Sequence, residues 1–498
     1  MIYCFNGTHD FVKSGIEYAE VYREKIFRKL GLPVKFIFTE MINDNIQSYT
    51  NMIGFCDSDI IWLYSFFTDV EICPCLVSVD NKISLLEKGS LSCVENGSKI
   101  RFLYPGDRYS EINYVEREKE KYIKTIEYGC SDRIVRLEHY TSTILYSEDF
   151  AWKDENKYIT RRSFFNKDGS TAFEEIVSDY THHVFIFSDR RCNSLNELVS
   201  YMMTKLSLTK EDCIILDRDV YLEYERAVIE NRGEARVGVC IHSEHSYLGK
   251  GQNGVRWGRS SAFRFKWNKY YDFIIVSTSF QAEMIRSEIK QVYGDEPQIY
   301  VIPVGSIDYL MKSTSKRKPY SLMSASRLAE EKHLEIVIEA VYEAHKLIPE
   351  ISLDIYGIGN KKAELVKLVN DLKANEYIVF KGYQQLDSVY IKYEAYISGS
   401  YTEAFGLTLL EACASGLPII GFDVRYGNKE LITDGVNGIR ASFDADCEEA
   451  NINSLKNAIV KLFRDEDVGS FSEKSYRKAE DYLTEEIEKK WLNCLNLN

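Results

Sequence analysis

No apolar run in this sequence is long enough to span a bilayer, for which a helix needs about 20 residues. The N-terminal MIYCFNGTHDF has no basic stretch followed by an apolar one, so no secretory signal is expected. Basic excess is missing too. The net charge is −14, which argues against broad nucleic-acid binding but leaves room for a local basic pocket that holds phosphate. The 12 cysteines are scattered, and the Cys73-Pro-Cys75 pair has no second cluster to complete a zinc site. Free thiols in a reducing cytoplasm are therefore expected. Repeats and low-complexity segments are absent as well.

What is present is ordinary globular material, 45% hydrophobic and 28% charged over 498 residues. Single cores stop growing near ~250–300 residues, so more than one domain is expected. In the last third, strands and helices alternate. SLMSAS (321–326), ISLDIYG (351–357), YIVFKG (377–382), AYISGS (395–400) and PIIGFDV (418–424) read as strands. A helix with Leu334, Val337, Ile338 and Val341 on one face follows the first of them. A polar helix follows the second strand, and a short helix precedes AYISGS. Such alternation makes a parallel sheet covered on both faces.

MIYCFNG, a turn at Gly15, a helix from Tyr18 to Leu30 and VKFIFTE (34–40) repeat the pattern. DCIILDRD (212–219), RVGVCIHS (236–243), FIIVSTS (273–279) and IYVIPVG (299–305) continue it. Between these halves the period shortens towards two, with Asn96-Gly97 and Asp168-Gly169 as hairpin turns. The expected α/β architecture is a Rossmann-like domain from 1–70 and 192–308, interrupted by an antiparallel β insertion at 71–191. A second Rossmann-like domain at 309–480 and a C-terminal helix at 481–498 complete it.

The nonapeptide EAFGLTLLE holds two carboxylates, Glu403 and Glu411, eight residues apart. On a continuous helix that spacing is about 12 Å, too far for a glycosidase pair, which works at roughly 5–9.5 Å. A helix starting near Gly406 would aim the free N–H groups of Phe405, Gly406, Leu407 and Thr408 outside the strand ends, where anions bind. Glu403 is expected at the mouth, with Glu411 two turns down. The spacing alone fits equally well with a buried helix carrying two incidental glutamates. Arg327 and Lys332, just past the strand SLMSAS, are two cations where a diphosphate needs them, and together these features point to a nucleotide sugar.

R-x4-K after a strand, followed by E-x7-E opening a helix, resembles the retaining GT-B glycosyltransferases of family 4 over about residues 315–440. SGIEYAEVYREKIFRKLG (14–31), KFIF, NIQSYTNMIGFCDSDIIWLYSFFTD and the β insertion resemble the GtfA-type enzymes that glycosylate serine-rich repeat adhesins. That resemblance implies a GT-B fold, two Rossmann-like domains facing a cleft, with the C-terminal helix (482–495) crossing back to the first. It also implies transfer of N-acetylglucosamine from UDP-GlcNAc to Ser or Thr of an adhesin polypeptide, with retention and beside a GtfB-like partner. No metal or other cofactor is implied.

By the same resemblance Glu411 holds the ribose, Glu403 contacts the donor sugar near the reacting carbon, and Arg327 and Lys332 neutralise the departing diphosphate. Ser14 and Gly15 approach the phosphates (the usual Gly-Gly is Ser-Gly here), His242 faces the donor sugar, and Gly382-Tyr383 contacts uracil through its backbone. Transferases of teichoic acid, a polyol phosphate, carry the same β insertion, and a non-catalytic acceptor-binding subunit is the other alternative. An inactive subunit would be expected to lose the Arg, the Lys and the two glutamates; all four are present. A cytoplasmic protein is expected, with room for peripheral association at the inner face of the membrane and no role for nucleic acid. Asp57-Ser58-Asp59 and Asp217-Arg218-Asp219 have the D-x-D form of metal-dependent transferases, but that form is short and frequent. His242-Ser-Glu-His245 has partial metal spacing, and the run from Glu116 to Lys121 reads as a solvated face.

Overall fold

The computed structural model describes residues 1–7, 15–178, 182–217, 222–247, 256–313 and 315–497. The chain divides into two compact units. The first comprises 1–17, 27–240 and 270–272; the second comprises 18–26, 241–269 and 273–498.

In the first unit, Arg236–Ile241, Cys213–Leu216, Ile2–Asn6, Val34–Phe38 and Ile60–Trp62 lie side by side in that order, all parallel. Their apolar runs fit burial on both faces, and Phe36, Ile37 and Phe38 are fully enclosed. Between Ile60–Trp62 and Cys213–Leu216 the chain makes a ten-stranded antiparallel sheet, from Ser92–Asn96 to Arg191–Cys192, with strands neighbouring in chain order. Gly97 and Gly169 supply left-handed turns at φ +58° and +84°. The charged run is solvated, with Glu116, Glu118, Lys119 and Glu120 exposed. Glu118 and Lys119 form a hairpin tip between Arg108–Arg117 and Glu120–Cys130. The insertion is also not all β, since the helix Asp80–Leu86 precedes the sheet.

An ionic ladder crosses the middle of this sheet. Arg162 donates to Glu148 at 2.8 Å and to Glu175 at 2.9 Å, and His139 and His183 stand 3.3 and 2.6 Å from those carboxylates. Burial opposes ionisation of Glu148, but hydrogen bonds from His139 and Arg162 hold its carboxyl below the usual value.

The second unit contains a six-stranded parallel sheet. Its strands run Ile378–Gly382, Ser352–Tyr356, Ser321–Ala325, Ala395–Ile397, Ile419–Phe422 and Gly438–Ala441 across the sheet. In chain order that is 3-2-1-4-5-6, so the connections reverse direction between Ser321–Ala325 and Ala395–Ile397. Ligands of such sheets bind at that reversal, beyond the carboxyl ends of the strands. The helix Leu334–His345 buries Leu334, Val337, Ile338 and Val341, each at 2% exposure or less. At roughly 1.5–3 kcal/mol per buried aliphatic side chain, this face anchors the segment that carries Lys332.

Between Gly382 and Ala395 the expected short helix is a single 3-10 turn, Tyr390–Lys392. Phe273–Val276 and Ile299–Val301 pair in parallel in the same unit. The chain closes with the helices Val468–Glu480 and Thr484–Leu495, the latter placing Trp491 5.1 Å from the Arg23 guanidinium. Among the described residues, no helix is long and apolar enough to cross a membrane.

Candidate active site

The nonapeptide is not one helix. Glu403 lies in the loop after Ala395–Ile397, and the helix runs only over Leu407–Ala414. Gly406 caps its start at φ +88°, a backbone shape that ends any continuous helical path between the glutamates. Glu411 accordingly sits about one turn into the helix rather than two.

The loop is held through its backbone. The Glu403 N–H donates to the Arg425 carbonyl at 3.2 Å, and the Glu403 carbonyl accepts from the N–H groups of Tyr426 and Gly427 at 2.8 and 2.7 Å. Gly427 allows this approach, because a Cβ there would stand 2.0 Å from the Phe405 carbonyl oxygen.

From the neighbouring strand, Ser321–Ala325, the chain passes Arg327 and the turn Glu330–Lys332 before the helix Leu334–His345. Lys332 Nζ donates to Glu403 Oε2 at 2.7 Å, and both side chains are 20% exposed. The pair lines a small cavity with Ser326, Ser398, Gly399 and Thr408, at the reversal of strand order. Arg327 does not line it. Its side chain is 63% exposed and pairs with Glu331 at 2.7 Å.

Two tyrosines that the sequence reading did not single out brace the helix. Tyr396 donates to the Ala325 carbonyl at 2.9 Å and shares a hydrogen bond with Thr408 Oγ1 at 3.0 Å. Tyr390 donates to Glu411 Oε2 at 2.6 Å. Burial raises the Glu411 carboxyl above the usual value, partly offset by that hydrogen bond, and Asp387 raises it further. The available signal was the three tyrosines of VYIKYEAYI, Tyr390 and Tyr396 among them, where a buried ring must find its hydroxyl a partner.

The other expected residues lie apart from this cavity's lining. Gly382 ends its strand at φ +70°, and its carbonyl accepts from the Gly357 N–H at 2.9 Å, while Tyr383 is 69% exposed. Phe405 is buried in the apolar core beside Leu409, and Leu407 packs against the same core. Gly15 opens the helix Gly15–Lys29, and Ser14 lies outside the described residues. His242 is half-buried just after Arg236–Ile241.

The residues following His242 serve other contacts. Glu244 accepts from Arg425 Nε at 2.7 Å, and the buried His245 stands 3.1 Å from Glu288. Of the D-x-D stretches, Asp57-Ser58-Asp59 forms a 3-10 turn whose Asp59 pairs with Arg28 at 3.4 Å. Asp217 is buried, and Asp219 lies outside the described residues.

Residues 308–482 match the family model of glycosyl transferases group 1, and residues 92–189 match the GtfA extended beta-sheet domain. The GtfA subunit of the UDP-N-acetylglucosamine–peptide N-acetylglucosaminyltransferase of Streptococcus agalactiae is 39% identical, over 99% of this chain and 97% of its own. The corresponding subunit of Streptococcus gordonii is 36% identical over 99% and 98%. The chain belongs to the GtfA family.

The solved structures agree in shape. A chain in a crystal structure of a GtfA/B complex matches at a TM-score of 0.94 and 36% identity, over 99% of both chains. The pneumococcal O-GlcNAc transferase GtfA, crystallised with UDP and GlcNAc, matches at 0.86 and 36%, over 99% of this chain and 98% of that one. In this GtfA-family chain the extended beta-sheet match falls on the ten-stranded sheet. The group 1 match contains the whole Lys332–Glu403 site.

Proposed function

We propose that this chain transfers N-acetylglucosamine from UDP-GlcNAc to Ser or Thr of a serine-rich adhesin polypeptide, with retention, as the GtfA subunit beside a GtfB-like partner. The observation that carries this reading is the end-to-end identity to the streptococcal transferase subunits, with Lys332 and Glu403 paired where the sheet reverses.

The chemistry follows from that placement. The bond between the sugar's anomeric carbon and the diphosphate breaks while the acceptor hydroxyl bonds to the same face. The departing diphosphate takes the hydroxyl proton. Lys332 and Arg327 offset the charge growing on the diphosphate, and Glu403 orients the sugar. Glu411 holds the ribose, Gly382-Tyr383 meets the uracil, and His242 faces the donor sugar. The helix start at Phe405–Thr408 faces the phosphates. Positioning and preset charge supply most of the rate. The two cations make a metal redundant, so the reaction proceeds without one. The protein works in the cytoplasm or at the inner face of the membrane.

Incubating the chain and its GtfB-like partner with a Ser/Thr-rich peptide and UDP-GlcNAc in excess EDTA tests this reading. Mass spectrometry is expected to find N-acetylhexosamine on the peptide. Transfer only to a polyol phosphate, or only after Mn²⁺ is restored, would overturn it.

A further inference from the structure

Glu411 leaves an electrostatic problem in the donor site. A carboxylate that accepts two ribose hydroxyls must be ionised and fixed in rotation, yet this one is half-buried beside Asp387 and the fully enclosed Tyr396. Desolvation and a like charge both favour the neutral acid, which would turn one acceptor oxygen into a donor.

Tyr390 answers this from below. Its side chain is 1% exposed, and its ring packs 6.2 Å from that of Tyr396. The turn Tyr390–Lys392 and the N–H bonds of Val389 and Tyr390 to the Leu386 carbonyl fix its backbone. Its hydroxyl donates to Glu411 Oε2 at 2.6 Å, a short charge-assisted bond. That bond occupies one lone pair of one oxygen. The other oxygen and the remaining lone pair stay available to a diol.

We infer that Tyr390 is a positioning residue for the nucleotide: by fixing the Glu411 carboxylate as a two-oxygen acceptor, it sets the preference for a ribose that carries both hydroxyls. This rests on the assignment of Glu411 to the ribose given above. Tyr390 never touches the donor, and its effect is carried wholly by Glu411.

The test compares UDP with 2′-deoxy-UDP by calorimetry on the full chain, using wild type, Tyr390→Phe and Glu411→Gln. The Tyr390 bond is present without nucleotide, so its loss weakens binding only through a loosened or neutral Glu411, up to the roughly tenfold that one ribose hydrogen bond to a charged group is worth. Tyr390→Phe is expected to bind UDP up to about tenfold more weakly and to prefer it over the deoxy nucleotide far less than wild type does. Its UDP-GlcNAc turnover is expected to lose more in KM than in kcat. Tyr390→Met, which fills similar space without a donor, gives the same reading should the phenylalanine variant not fold.

An unchanged preference in a folded Tyr390 variant overturns the inference, as does equal weakening of both nucleotides. If Glu411→Gln keeps the preference, the ribose assignment itself fails and the inference falls with it. If Glu411→Gln loses the preference while Tyr390→Phe keeps it, only the role of Tyr390 is overturned.

Discussion

Glu411 carries opposite demands for stability and for binding. Its folded carboxyl titrates above the usual 4.5, because burial disfavours the charge. A carboxyl raised on folding contributes stability below its unfolded pKa and loses it as pH rises through the folded value. At neutral pH the ionised side chain therefore costs the empty protein stability. Glu411→Gln is expected to raise the melting temperature at pH 7, with the gain fading as pH falls towards 4.5. UDP affinity is expected to fall in the same variant. Thermal melts across pH beside UDP calorimetry check both, and a variant less stable at pH 7 would contradict the sign.

At the scale of elements, the strap 425–427 and the loop holding Glu403 act as one piece. Gly427→Ala places a Cβ 2.0 Å from a backbone oxygen that cannot swing aside. The loop must shift, and a misplacement of an ångström costs about 10²-fold in rate. We expect UDP-GlcNAc turnover to fall by about that factor, while UDP affinity, set one helical turn away, changes little. Steady-state kinetics beside calorimetry separate the two effects.

The β insertion rests on its ionic ladder in a similar way. Removing one member of a buried pair typically costs about 3–5 kcal/mol. Arg162→Leu leaves Glu148 to His139 alone and Glu175 to His183 alone, so urea unfolding should show the first unit destabilised by up to that much.

These elements also show what the sequence carries by itself. Leu334, Val337, Ile338 and Val341 recur at helical spacing, and the helix is where that spacing puts it. Asn96-Gly97 and Asp168-Gly169 are hairpin turns because only special residues tolerate left-handed backbone. The strap left no comparable trace. Its grip on Glu403 is made by backbone groups, which every sequence has. Tyr390 was hidden for another reason. It meets Glu411 across 21 residues of chain, and no local period records such a meeting. Gly406 was read as the helix start, but no local period records its positive φ, which breaks the path between the glutamates, or the side chains of Leu409 and Glu403 that leave no room there for a Cβ.

For the whole molecule, the two family matches fall on different parts of one chain, residues 92–189 and 308–482. We predict that the β insertion docks a GtfB-like partner and shapes the acceptor groove, while the second unit holds the donor. A broad antiparallel sheet presents edges and faces suited to an extended peptide. Deleting residues 71–191 should abolish partner binding and leave some UDP-GlcNAc hydrolysis. Undiminished partner affinity, measured by calorimetry on a folded deletion variant, would contradict that assignment.

The central claim is that the donor lies with its reacting sugar at Lys332–Glu403 and its nucleotide at Glu411. Steady-state turnover of UDP-GlcNAc, run beside UDP calorimetry on Glu403→Gln, Lys332→Ala and Glu411→Ala, tests it most directly. Glu403→Gln and Lys332→Ala are predicted to lower kcat by about 10²–10³ with little change in UDP affinity. Glu411→Ala is predicted to weaken UDP by about 10- to 150-fold and to spare kcat. Weak UDP binding with normal turnover in Glu403→Gln, and the reverse in Glu411→Ala, would contradict the account.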